Sequence, residues 1–185
     1  MNAKNKNPWL LYALITTFFW GAWGAFTGVP SENGFPDTLI YCVWAFTMLV
    51  PAVYILKRNK GHLDKDAKSI FYGLIIGLLG AGGQMILFYV VTIGPAYLIF
   101  PIISLSPVIT ITLSIFFLKE RTGKLGTLGI VLALLALPLF EYSGETPEAK
   151  DDDGVLWFLL SLLILIAWGV QAYFMKLANR TMNVE

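Results

Sequence analysis

The residues of this chain that could do chemistry are few, and they lie inside long apolar runs. Gln84 follows Gly82 and Gly83 near the middle of one run, and Gln171 stands one helical turn after Trp168 in another. An amide at such a depth costs about 1–3 kcal/mol when it lacks a partner. Each glutamine therefore either lines a wet cavity and bonds a polar ligand, or bonds the backbone of a neighbouring helix. Ser106, Thr110 and Ser114 recur at i, i+4 and i+8, which is one face of a helix. Pro101 and Pro107 interrupt the same run, and each withholds an amide donor from the carbonyl four residues earlier. Unbonded carbonyls at membrane depth are tolerated where they meet a cavity or a polar side chain. The hydroxyl stripe is thus either one wall of a solute path or a close packing face, with each hydroxyl turned onto its own i−4 carbonyl. Trp20 and Trp168, deep in their runs, offer aromatic walls, as do Trp23 and Trp44, whereas Trp9 and Trp157 at run ends suit interfacial anchoring.

This is the chemistry of recognition rather than of bond making. No Asp, Glu, His, Lys or Arg lies deep in any run. The single histidine, His62, falls in a charged connection, and the lone Cys42 excludes an intrachain disulfide and a cysteine metal cluster. An enzyme acting within the bilayer needs paired carboxylates, a histidine cluster or a Ser/His arrangement, and none is present. The expectation is no catalysis, no cofactor and no metal. Proton coupling would need a titratable group in the path. The first run supplies Thr16, Thr17 and Thr27 instead, so coupling rests on residues beyond Glu185, on a Na+ site of carbonyls and hydroxyls, or on nothing.

The elements that position these residues are six apolar runs, expected as transmembrane helices over 8–29, 37–56, 69–91, 95–118, 125–141 and 155–176. About 20 residues at about 1.5 Å rise each cross a hydrocarbon core of about 30 Å. Hydrophobic residues make up 57% of the chain and charged ones only 14%, far from a soluble domain. Residues 29–36 read as a turn-rich outer loop, with Asp37 or Thr38 able to cap the second helix. Ile93-Gly94-Pro95 is a very short turn that makes the third and fourth helices neighbours, and the fifth, short helix ends at Pro138. Gly73, Gly77 and Ala81, like Gly126, Gly129 and Ala133, form small-residue grooves for close helix approach. Gly80, Gly82 and Gly83 add flexibility nearby, so that a hinge for alternating access is the second reading after packing, with Pro101 and Pro107 as helix breaks. The fold class is an all-α polytopic helix bundle.

Charge sorts by side. Of 13 Lys and Arg residues, all but Lys150 fall in alternate connections or at the chain ends, which predicts that both termini are cytoplasmic; the expected location is the cytoplasmic membrane. Lys119, Glu120 and Arg121 lie at that boundary, where a local ion pair explains them. No basic patch interleaves with aromatics, so nucleic acid is not an expected partner.

A repeat is also legible. Shifted by 148 residues, the first run falls on the sixth: Trp9 on Trp157, Trp20-Gly21 on Trp168-Gly169, and Phe26 on Phe174. The first unit holds five helices, an odd number, so the second unit enters the membrane from the opposite face. Inverted repeats of this kind hold substrate near the midplane between two halves. The expected organisation is a first unit over 1–142, an acidic outer linker over 143–154, and the first helix of a second unit over 155–185.

The runs Gly94-Pro95-Ala96, Ser104-Leu105-Ser106-Pro107-Val108 and Phe117-Leu118-Lys119-Glu120-Arg121-Thr122, followed by Gly126 to Gly129, resemble the EamA-like family of the drug/metabolite transporter superfamily. The two Trp-Gly pairs match it as well. The resemblance implies ten helices in two inverted five-helix units around a central cavity for small metabolites or drugs. This chain stops at Glu185, after the sixth helix. It is therefore expected to be a piece of a longer protein, or else to pair with a second subunit. The partners implied are the lipid bilayer, a small-molecule substrate and that missing half. The function expected is a secondary carrier working by alternating access; the alternative is a non-transporting membrane scaffold.

Overall fold

In a computed structural model the described residues are 9–61, 63–121, 123–141 and 155–182. His62 and the acidic linker with Lys150 lie outside them. Among the described residues every regular element is helical: α1 Trp9–Phe26, α2 Val29–Glu32, α3 Asp37–Arg58, α4 Ala67–Ile93, α5 Ala96–Ile103, α6 Ser106–Leu118, α7 Lys124–Glu141 and α8 Leu156–Thr181. Five stretches are long and apolar enough to cross a membrane: Leu10–Glu32, Asp37–Arg58, Ala67–Ile93, Ala96–Leu118 and Leu156–Thr181. A sixth, Lys124–Ala136, is apolar and shorter. The chain is a polytopic helical bundle.

Several local expectations are corrected. The loop after α1 holds the short helix α2, because Pro30 sits in a first turn, where its missing N–H is no loss. Neither Asp37 nor Thr38 caps α3. Its N-cap is Pro36, and Asp37 instead accepts a 3.2 Å bond from Ser31 Oγ. Asp66 does cap α4, accepting from Ser69 Oγ and from Ser69 N, the latter at 3.1 Å, and these bonds hold its carboxyl below the usual range. Pro138 does not end α7, which continues to Glu141. The last helix runs on to Thr181, so Lys176 lies inside it.

The prolines break the fourth apolar run between them rather than at either one. Pro101 remains inside α5, the turn falls at Ser104-Leu105, and Pro107 enters the first turn of α6.

The core gathers around α8, whose longest contact is with α4, followed by α6 and α5. The pairing with α4 is antiparallel: Gly94 meets Trp157, Gly83 meets Trp168, Gly80 meets Gln171, and Tyr72 meets Phe174. The pairing with α6 is parallel, from Ile109 against Gly169 to Phe117 against Tyr173. Leu87, Val90, Ile99, Ile103 and Ile164 form the buried centre, with Trp23, Trp157 and Trp168 packed on it. Trp157 is thus half-buried packing, more than an interfacial anchor. In lipid, exposed apolar surface carries no penalty, so close packing rather than the hydrophobic effect holds these helices together.

The glycines show where that closeness is needed. A Cβ at Gly83 would overlap the Trp168 indole, and one at Gly80 the Gln171 amide. Gly73, Gly77, Gly126 and Gly129 face open space, so the expected grooves are not the seams the fold uses. The working face of α4 is displaced by one turn, onto Gly80, Gly83, Leu87 and Val90.

Candidate functional site: a cavity at mid-bundle

A cavity of about 940 Å³ opens between α1, α3, α4, α5, α6 and α8. Its size falls in the range of small-molecule sites, about 300–1,000 Å³. Each helix contributes from its middle or from the half nearer the α4–α5 turn: Thr16, Thr17, Trp20 and Gly24 from α1, Trp44 from α3, and Gly80 and Gln84 from α4. Tyr97, Phe100 and Pro101 come from α5, Ser104 from the turn, Ser106 and Pro107 from α6, and Trp168 and Gln171 from α8.

Gln84 is the informative member. It is only 4% exposed, and its Nε2 finds no hydrogen-bond partner among the described residues. Buried polar atoms are nearly always bonded, so such an atom calls for a specific explanation. Gln171 packs its amide over Gly80, and Trp168 places its indole nitrogen over Gly83. The Trp20 and Trp168 rings meet edge to face, with centroids 5.8 Å apart and an angle of 89°. Trp23 continues the aromatic chain from Trp20 to Phe88, at 6.0 and 6.2 Å. Tyr41 then joins Phe88 to Trp44, at 6.5 and 5.9 Å.

The hydroxyls divide. Thr16 and Thr17 donate to the carbonyls of Tyr12 and Ala13, and Ser104 donates to that of Pro101, so what they offer the cavity is oxygen lone pairs. Ser106 borders the cavity, whereas Thr110 and Ser114, on the same face of α6, are turned into the seam with α8. Thr110 Oγ1 donates to Gly169 O at 2.9 Å, as well as to Ser106 O at 3.3 Å. Ser114 is buried and accepts from Lys176 Nζ at 3.2 Å. The structure therefore brings Gln84, Gln171, Trp20, Trp168, Ser106, Pro101 and Pro107 around one space, and leaves Thr110, Ser114, Gly82 and Gly83 out of its lining.

Basic residues collect at the opposite end of the bundle. The helix termini that carry Lys57, Arg58, Lys68, Lys176 and Arg180 gather there. Glu120 bonds both Lys176 and Arg180 across the α6–α8 seam, so its partners lie on another helix rather than next to it in sequence. The bond from Lys176, helped by the two positive charges, holds the Glu120 carboxyl below the usual range, against a smaller opposing effect of desolvation. Lys119, in the left-handed region at φ 51°, ends α6, with its own N–H and that of Glu120 both directed to Ser114 O. Above this clamp lie Phe117 on Tyr173 and Tyr72 on Phe174, with Lys68 over the Tyr72 ring at 5.9 Å.

Sequence reasoning missed Phe100 and Ser104 and used Thr16 and Thr17 only as stand-ins for a carboxylate. The signal for Ser104 was its place between two prolines. Phe100, which packs against Gly24, had none.

An uncharacterized protein of Methanocaldococcus jannaschii is 28% identical over 134 residues, which take in 72% of this chain and 96% of that protein. No solved structure matches. The model of the EamA-like transporter family matches residues 7–140, a span that includes the cavity-lining parts of α1, α3, α4, α5 and α6. This chain, a multi-pass membrane protein, belongs to the EamA-like transporter family.

Proposed function

We propose that the protein is a secondary carrier that moves small organic solutes across the cytoplasmic membrane by alternating access, with the mid-bundle cavity as the solute path. The observation that carries this reading is Gln84, a cavity-lining residue whose buried Nε2 has no partner among the described residues. A polar ligand that enters and leaves accounts for a donor held in that state. Gln171, Trp20, Trp168 and Ser106 are the further contacts proposed, and Thr110 and Ser114 serve the α6–α8 seam.

Cytoplasmic loops retain Lys and Arg, so the basic end is proposed to face the cytoplasm, with both termini of this chain. The cavity then faces outward, and the Glu120 clamp and its aromatic layer close the inner side. Two inverted five-helix units are proposed, with α8 as the first helix of the second. Two observations support this: the 148-residue correspondence, and the sparse burial of α1 and α3, which have faces available to further helices or to a second subunit. The archaeal relative, matched over nearly its whole length, is little longer than the 134 residues in common.

The test is thiol labelling in the intact protein with Cys42 replaced by Ser. Cysteines at Gln84 and Ser106 should react with a small aqueous reagent, and cysteines at Thr110 and Ser114 should not. Inertness at all four positions in folded protein would favour a scaffold that moves nothing. Tags at Asp64 and Asp151 should appear on opposite membrane faces, and finding both on one face would overturn the topology.

A further inference from the structure

We propose that the cavity takes an uncharged, ring-bearing solute that presents a hydrogen-bond acceptor, such as a carbonyl or amide on a flat ring. This rests on reading the cavity as a solute site, and three observations carry it. The first is the sign of the unmet need. Gln84 Nε2 is a donor, only an acceptor atom satisfies it, and an alkylammonium has no acceptor to offer.

The second is the absence of charge. Among the described residues no Asp, Glu, His, Lys or Arg lines the cavity, so an anion would shed its hydration and meet no counter-charge there. Around the start of α6, Ser104 N is bonded to Phe100 O at 3.0 Å, Leu105 N to Ile102 O at 3.2 Å and Val108 N to Leu105 O at 2.8 Å, and Pro107 has no N–H, so none of these four can receive an anion.

The third is the shape and polarity of the walls. Trp20, Trp44 and Trp168 are flat and apolar, and the right angle between Trp20 and Trp168 lets one guest ring stack on a face while meeting an edge. Thr16, Thr17 and Ser104 have their protons committed to backbone carbonyls, so they can accept from a ring N–H.

The three cavity tryptophans supply the readout. The purified full chain is titrated with nicotinamide, nicotinate and 1-methylnicotinamide, probes that share one ring and carry zero, negative and positive charge, while tryptophan emission is followed. Nicotinamide should bind at least about tenfold more tightly than either charged probe, because neither finds a compensating charge at this depth. Gln84→Met should weaken nicotinamide about threefold to tenfold, as the loss of one hydrogen bond does. The same substitution should raise Tm, because it removes an unsatisfied buried amide; a purely structural glutamine would lower it. The proposal is overturned if a charged probe binds as tightly as nicotinamide, if no probe binds, or if Gln84→Met leaves nicotinamide affinity unchanged. Reactive cysteines at Gln84 and Ser106 alongside any of those results would leave the carrier reading standing and remove only the solute class. Inert cysteines would remove the carrier reading itself.

Discussion

Helices α1 and α8 share a Trp-Gly pair at matched depth, yet the bundle treats them in opposite ways. Within α8, Ser161, Ile164, Leu165, Gly169 and Ala178 are buried, and the helix touches α4, α5 and α6. Along α1 no described residue is buried, and Leu10, Tyr12, Leu14, Phe18, Phe19 and Trp20 are all more than half exposed. Gly169 is pressed against Ile109 and the carbonyl of Ser106, while its counterpart Gly21 has nothing within 4 Å. The lesson is that the same local sequence specifies a helix and a face, and the neighbours decide whether that face is a seam or a wall.

The sharpest challenge to this contrast is Gly169→Val. The added atoms would meet the β-branched Ile109 and the Ser106 carbonyl oxygen, 2.9 Å from the new Cβ, neither of which yields easily. Overpacking of this kind costs about 1–3 kcal/mol, and loss of the Thr110 bond to the Gly169 carbonyl would add to it. A fall in thermal midpoint is expected, and an unchanged midpoint would mean that the α6–α8 seam is looser than described.

Next in size is the clamp at the far end of α8, which has no equivalent on α1 among the described residues. Glu120→Gln should destabilise the α6–α8 seam and make a cysteine at Ser114 reactive from the basic side. The pH dependence has a definite sign. The folded carboxyl sits below its ordinary range, so its contribution is present at neutral pH and is lost only as pH falls through the depressed value. Wild-type stability should therefore drop under acid conditions more steeply than that of Glu120→Gln, as measured by thermal unfolding across pH.

A smaller effect, of opposite sign, is expected on α1. Gly21→Ala adds a methyl into open space and gains about 0.5–1 kcal/mol of helix preference. Smallest of all, Lys119→Gly should stabilise slightly by relieving a left-handed backbone that disfavours side chains, provided the Glu120 clamp survives. Both are checked by thermal midpoint beside the wild type.

Much of this was legible in the residues. Six apolar runs appear as helices near their expected places, and Gln84, Gln171, Trp20 and Trp168 surround one cavity because polar and large aromatic groups at membrane depth have few other destinations. What periodicity cannot supply is the partner of a face. It placed Ser106, Thr110 and Ser114 on one side of a helix, but only the arrival of α8 sends the last two into a seam. The same limit displaced the packing groove of α4 from Gly73 and Gly77 to Gly80 and Gly83, since small residues permit an approach without requesting it. Lys176 was read with the charged connections because a cation marks a boundary. Its long side chain instead lets the helix continue while the ammonium reaches Ser114 and Glu120.

The touching indoles of Trp20 and Trp168 carry one more consequence. Two corresponding objects can press against each other only beside the line that interchanges them. Where the 148-residue correspondence extends to the whole architecture as an inverted repeat, that line passes between these two rings and exchanges the two sides of the membrane along with them. A guest lodged against this pair would then meet an equivalent pair of walls whichever side it came from.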